Sequence, residues 1–337
     1  MKAYVLTAPH EGGVQDVPDA VAGDGEVVVD IHRVGVCGTD MEFWTGEMAY
    51  LHQGTAHYPM RLGHEWCGEV SALGAGVDGS WLGLRVIGDT MIGCGHCERC
   101  RSGRHHVCEQ RSELGVRGRF PGALAERLAV PATALVAVPG SVDDAAGAMV
   151  EPGGNALRAV WGAALSAGDR VLVLGTGTMG LLAAEFARAA GVEVHLMGHS
   201  KETVAFARGR GYAGTWLRSE LPALPWDAVI DASNAAELPA LALDLVEPGK
   251  RVVYLGIAGT PSLIDTRTMA LRDIIAVGIL GASQALRVTI EQYAGGSVDP
   301  RTLVSATVAL DRVGEVLSGW RPDGALAGPK IHIDPRL

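Results

Sequence analysis

The chain has 337 residues, is 48% hydrophobic and 20% charged, and carries a formal net charge of −10. That length leaves room for two domains, and the composition is that of an ordinary globular protein. The acidic balance argues against nucleic acid or an anionic membrane as partner, since both need a basic face.

No run approaches the ~20 apolar residues of a membrane span, and no signal-type segment opens the sequence, so a cytoplasmic protein is expected. Six cysteines in such a chain are not a disulfide scaffold, and their spacing suits a reducing compartment.

In chain order, residues 3–6, 26–36, 65–73, 85–87 and 125–130 are rich in β-formers and separated by Gly, Pro and Asp, which predicts an irregular, barrel-like β domain. Residues 141–150 change character. Ser141 can cap a helix there, with Asp143 and Asp144 in its first turn. From about Asn155 the pattern alternates: strand 170–174, helix 179–190, strand 193–197, helix 202–210, strand 228–231, helix 235–246, strands 251–256 and 274–280. Pro239 either sits in the first turn of its helix or breaks it. Alternating strands and helices predict a doubly wound parallel sheet. After residue 282 come two helical stretches and a last strand, 330–334, expected to return to the first domain. The predicted organisation is a catalytic domain of residues 1–150 and 282–337, with a metal lobe at 93–109, and a coenzyme domain of residues 151–281.

Three constellations carry chemistry. Cys94, Cys97, Cys100 and Cys108 follow C-x2-C-x2-C-x7-C, a spacing that can close a four-thiolate structural zinc site. The other reading, reduced and unliganded thiols, leaves that spacing without a reason. A second set, Cys37, His64, Glu65 and Glu151, mixes thiol, imidazole and carboxylate from distant segments, as suits a metal that keeps a position open for substrate. Cys67 lacks such a context and is expected in the core. His96, His105 and His106 are expected as exposed loop residues of the lobe.

The third constellation is Gly175-Thr176-Gly177-Thr178-Met179-Gly180, between a predicted strand and a predicted helix. Glycines in that order allow a tight turn, close approach of backbone to a pyrophosphate and close helix–strand packing, with the helix N-terminus facing the phosphates. At the end of the next strand, where an acid would bond the ribose hydroxyls of NAD, stands Gly198, followed by His199, Ser200 and Lys201. Without that acid a 2′-phosphate is not repelled, and Ser200 and Lys201 can bond it, so NADP is favoured over NAD. The loop 44–61, with Tyr50, His52, His57, Tyr58 and Arg61, either lines a polar pocket or is plain surface.

Taken together, Gly35-Val36-Cys37-Gly38-Thr39-Asp40, Gly63-His64-Glu65, the cysteine lobe, Glu151-Pro152 and the glycine loop resemble the zinc-containing medium-chain dehydrogenase/reductase (alcohol dehydrogenase) family over essentially the whole chain. The resemblance implies a GroES-like irregular β-barrel catalytic domain plus a Rossmann coenzyme domain, two zinc ions per chain, and a homodimer or homotetramer joined near residues 274–280. It implies Cys37, His64 and Glu151 as ligands of the catalytic zinc, with Glu65 a nearby, exchanging ligand. It further implies Asp40 as the partner that orients His64, Thr39 as acceptor of the substrate proton, and Asn155 near the nicotinamide. The family's relay often runs to a histidine three residues beyond Thr39; this chain has Glu42. Glutamate at 151 and at 42 looks like the polyol and sugar branch, so the expected substrate is a secondary alcohol of a polyol, sugar, cyclitol or amino alcohol. The alternatives are a threonine-dehydrogenase-like or simple alcohol dehydrogenase, or a non-catalytic nucleotide-binding protein on the same fold.

Overall fold

The computed structural model describes residues 1–257 and 259–337, which divide into two compact units, Met1–Glu151 with Leu286–Leu337, and Pro152–Ala285.

The first unit is built around the ten-residue strand Glu26–Gly35, which pairs antiparallel with Glu65–Leu73, Arg127–Pro131 and Lys330–Asp334. It supports three neighbours because register shifts between Val28 and Val29 and between Ile31 and Arg33 bend it. Val27, Val29, Ile31 and Val34 are at most 1% exposed and pack with Leu6, Phe43, Trp66 and Leu128. The C-terminal strand Lys330–Asp334 pairs Ile333 with Val34 and His332 with Gly35, and it runs parallel to Val304–Ala309 on its other side. Ile331 and Ile333 enter the same core, which anchors the tail to the N-terminal residues by apolar burial.

The second unit is a parallel sheet of Gly214–Leu217, Glu193–Gly198, Arg170–Leu174, Trp226–Asp231, Val246–Tyr254 and Ile275–Gly278, side by side in that order. Counted along the chain the order is 3-2-1-4-5-6, the doubly wound arrangement, which puts the carboxyl end of the first strand at the reversal point where such sheets bind ligands. Val171, Leu172, Val173 and Leu174 are fully buried, as a strand covered on both faces requires.

Several elements depart from the sequence reading. The helix expected over 141–150 is two pieces, Asp144–Gly147 and Val150–Ala163, and its cap is Asp143, not Ser141: the Asp143 carboxylate accepts from the Ala146 N–H at 2.8 Å. Ser200 caps helix Lys201–Arg208, one residue earlier than expected. Pro239 occupies the first turn of Leu238–Leu245, where no backbone donor is missed. Strands Glu11–Asp16, Gly214–Leu217 and Val304–Ala309 had no clear signal in the sequence. The first is mostly exposed, and the other two are short and lean on neighbours for their burial.

Candidate active site

Cys37 ends the run after strand Glu26–Gly35 and sits at the N-cap of helix Gly38–Thr45. The Asp40 carboxylate, 1% exposed, folds back to accept from the Cys37 N–H at 2.9 Å and the Gly63 N–H at 3.3 Å, so one side chain ties the segments carrying Cys37 and His64 together. Asp40 Oδ1 lies 3.7 Å from His64 Nδ1, beside the ring it is expected to orient. Burial pushes the Asp40 carboxyl up, and the His64 charge opposes this.

Donor atoms of Cys37, His64 and Glu65 all lie within 4.8 Å of one another. His64 is 6% exposed, and its Nδ1 has no hydrogen-bond partner. Burial pulls the His64 pKa down, but Cys37, Asp40 and Glu151 together raise it well above the ordinary value. Acidic groups thus surround a buried imidazole and create a strong demand for positive charge. That environment fits a divalent cation, which binds neutral imidazole alongside thiolate and carboxylate. Glu151, 8% exposed and in the first turn of its helix, is outside the 4.8 Å cluster although its charge acts on His64.

Glu65 has a partner the sequence did not reveal. Lys330 Nζ donates to Glu65 Oε1 at 2.9 Å, to Oε2 at 2.6 Å and to the Val36 carbonyl at 2.9 Å. Lys330 and Glu65 are 3% and 1% exposed at the side chain. A lysine at the start of a short strand reads as surface, and only the pairing of strand Lys330–Asp334 brings it here. Thr39 and Glu42 are half-buried on helix Gly38–Thr45; burial, then Glu47, pushes the Glu42 carboxyl up.

In the cysteine lobe the Sγ atoms of Cys94 and Cys100 are 3.9 Å apart and those of Cys97 and Cys108 are 3.8 Å apart. A tetrahedral shell with Zn–S of ~2.3 Å puts sulfurs about 3.8 Å apart, whereas a disulfide would need ~2.05 Å. The four thiols fit zinc as they stand. Of the lobe histidines His96 is exposed as expected, but His106 is 5% exposed and His105 is half-buried, its Nε2 bonding Asp89 Oδ2 at 2.7 Å. Cys67 is fully buried in the core, which pushes its thiol up to about 12.

In the second unit Gly175 has φ of 112°, and a Cβ on Gly180 would lie 2.0 Å from the Gly175 carbonyl oxygen, so helix and strand approach as closely as only glycine permits. A Cβ on Gly177, the N-cap of helix Thr178–Ala189, would meet nothing within 4 Å; this open face lies over a free helix N-terminus, with Thr178 and Met179 in its first turn. An adjoining cavity of about 810 Å³ is lined by Gly175, Gly198, His199, Arg218 and Ser219 among others. Ser200 and Lys201 do not line it: the Ser200 hydroxyl is taken by the Thr203 N–H at 3.3 Å, and Lys201 is exposed. Arg218 was not apparent from the sequence, because its strand, Gly214–Leu217, was not. Asn155 lies in the early turns of helix Val150–Ala163.

Residues 23–140 match the alcohol dehydrogenase GroES-like domain. L-threonine 3-dehydrogenase of Cronobacter sakazakii is 32% identical over 293 residues, covering 83% of this chain and 84% of that protein. The chain belongs to the zinc-containing medium-chain alcohol dehydrogenase family. Among solved structures, a zinc-binding dehydrogenase from Sinorhizobium meliloti bound to NADP superposes with a TM-score of 0.88 at 28% identity, covering 99% of each chain. The alcohol dehydrogenase TADH from Thermus superposes with a TM-score of 0.89 at 25% identity, again over 99% of each. The protein is a zinc-type oxidoreductase of alcohols with a nicotinamide coenzyme, on a GroES-like catalytic domain and a Rossmann coenzyme domain. Among the described residues no helix is long and apolar enough to cross a membrane.

Proposed function

We propose that this dehydrogenase oxidises a small secondary alcohol bearing a polar group on the neighbouring carbon, with NADP as acceptor. The observation that carries the reading is the cluster of half-buried Cys37 with buried His64 and Glu65, with the charge of Glu151 acting on it. An amino alcohol of the L-threonine type is the first candidate, because L-threonine 3-dehydrogenases are among the relatives at 30% identity and above. Polyols, sugars and cyclitols are the second, on the glutamates at 151 and 42.

In this reading Cys37, His64 and Glu151 hold the catalytic zinc, Glu65 is an exchanging ligand, and Cys94, Cys97, Cys100 and Cys108 hold a structural zinc. Bound zinc supplies Lewis-acid polarisation of the alcohol oxygen, and the nicotinamide supplies a hydride acceptor. The chain's own residues do the rest. The Thr39 hydroxyl accepts the alcohol proton, and the half-buried Glu42, whose raised pKa makes it a better base than an ordinary glutamate, passes it towards solvent. Asp40 holds His64 and Cys37 in place by its hydrogen bonds to the two backbone segments. Lys330 bonds both carboxylate oxygens of Glu65 and so competes for it with the metal, which suits a ligand that exchanges.

Gly175, Gly177, Thr178, Met179 and Gly180 cradle the pyrophosphate, with Asn155 near the nicotinamide. Gly198 and His199 leave room for the 2′-phosphate, with Arg218 supplying its positive charge; Ser200 and Lys201 border the site. NADP bound to the Sinorhizobium protein supports this choice. A homodimer or homotetramer through the edge strand Ile275–Gly278 is supported by its unpaired side and by Leu271 and Ile275, which are 81% and 47% exposed. The setting is cytoplasmic, where thiolates stay reduced.

Following nicotinamide absorbance with zinc-loaded protein, NAD and NADP in parallel, tests the reading. Turnover of L-threonine or a polyol with NADP is expected. Turnover confined to simple unsubstituted alcohols would sink it.

A further inference from the structure

The first unit contains a cavity of about 430 Å³ between residues 55–61 and 115–121, lined by Arg61, Arg117, Arg119, His57 and Phe120 among others, with no acidic residue in its wall. In a chain of net charge −10 an acid-free, three-arginine cavity stands out. Arg61 is the unusual member. Its Nε is sealed from solvent without a partner, and its guanidinium makes no hydrogen bond or ion pair among the described residues. Burial without compensation pulls its pKa down to about 10. A half-buried guanidinium whose Nε is sealed without a partner is costly to keep, and the cost is recovered when an anion meets it.

The walls are preorganised. The Arg61 carbonyl accepts from the Gly122 N–H at 2.8 Å, and the Leu124 N–H bonds the Leu62 carbonyl at 3.0 Å, so the two sides are laced together by backbone. Gly115 and Gly118, with φ of 70° and 86°, turn the second wall, and the Gly115 N–H closes on the Phe120 carbonyl at 3.1 Å. Arg119 stacks over Phe120 at 4.4 Å and has no ion pair among the described residues. Arg117 is held over the Tyr50 ring at 4.8 Å, and it shares the single carboxylate of Glu113 with Arg111, both at 2.9 Å. Two arginines share the one carboxylate of Glu113, and Arg61 and Arg119 add two uncompensated charges, which leaves the site with an excess of positive charge.

We propose that this cavity is a binding site for an oxyanion, a phosphate or carboxylate carried by a small molecule, with Arg61 as its central contact and Arg119 closing over it. The guanidinium fork matches both groups in bidentate fashion, and the volume admits a small organic anion. The anion has two possible sources: the acidic end of the alcohol substrate, or a separate small ligand.

The test uses inorganic phosphate against sodium chloride at matched ionic strength, reading the thermal unfolding midpoint of the full-length, zinc-loaded protein. Phosphate is expected to raise the midpoint saturably, because a ligand of the folded state stabilises it by mass action. Arg61→Gln should weaken phosphate by about ten-fold or more, the worth of a charge-assisted hydrogen bond, while leaving the phosphate-free midpoint unchanged or higher, since an uncompensated charge is removed. Arg119→Gln, at an exposed position that does not threaten folding, should also weaken it. Arg218→Gln, in the coenzyme domain, should not. A wild type that responds to phosphate no more than to chloride overturns the proposal, and so does an Arg61→Gln or Arg119→Gln protein that binds phosphate as the wild type does. Phosphate that competes with the alcohol in the hydride assay assigns the site to the substrate's own anionic group; phosphate that binds without competing assigns it to a separate ligand. Either result supports the site.

Discussion

Replacing Lys330 by methionine removes the partner of a carboxylate that has no access to water. Nζ makes two hydrogen bonds to Glu65, at 2.6 and 2.9 Å, with both side chains at most 3% exposed. Burial alone lowers the pKa of a lysine, but Glu65, Cys37 and Asp40 outweigh it and raise that of Lys330 above 10.5. A raised pKa means that the stabilisation is complete below the unfolded value and is lost only as pH rises through the folded one, so at neutral pH the pair is fully formed. Breaking a buried pair by removing one member costs about 3–5 kcal/mol, most of it the stranded charge. Lys330→Met is therefore expected to lose about that much in urea unfolding followed by tryptophan fluorescence at pH 7. Glu65→Gln added to Lys330→Met should restore about half or more, because the stranded charge is gone. A single variant within about 1 kcal/mol of wild type, a loss too small for any stranded buried charge, or a double variant no better than the single, would refute the argument.

His332 is fully buried with neither ring nitrogen bonded, and burial, Lys330 and Arg33 push its pKa down to about 3. A depressed pKa contributes stability that is present above the unfolded value of 6.5 and lost as pH falls towards 3. Stability should fall by up to about 1.4 kcal/mol per pH unit across that window, and His332→Leu should flatten the slope; an unchanged slope would contradict the burial argument. Gly198→Asp is expected to shift the kcat/KM ratio towards NAD by about ten-fold or more, by repulsion of the 2′-phosphate. Total activity should drop as well, because the new Cβ would lie 2.8 Å from Thr176 Oγ1 and Val204 Cγ2, which must move. An unaltered cofactor ratio would remove Gly198 from the specificity argument.

What was legible in the sequence was whatever local pattern dictates. Strands Glu65–Leu73, Arg170–Leu174 and Lys330–Asp334 appear at the predicted residues, because a continuous apolar or alternating run bounded by turn residues specifies them without help. The cysteine lobe was legible because all its ligands lie within one short loop. What was not legible depends on distant chain. Lys330 is a site residue only because its strand pairs beside Val34, and Arg218 lines the coenzyme cavity only because a four-residue strand precedes it. Asp143 displaced Ser141 as cap by a hydrogen bond whose geometry no spacing rule distinguishes. Lys201 looked like a phosphate ligand by position, but it begins a helix whose cap, Ser200, is spent on Thr203.

The most direct test of the two-site account measures zinc content and alcohol oxidation on the same preparations of wild type, Cys37→Ser and Cys100→Ser. Wild type should hold two zinc ions per chain, by the donor sets of the cluster and the lobe. Cys37→Ser should lose one of them and essentially all turnover while keeping the unfolding midpoint near wild type. Cys100→Ser should also lose one, chiefly at the expense of stability. A Cys37→Ser enzyme that keeps both its full zinc content and its turnover would contradict the assignment of the buried cluster as the catalytic centre.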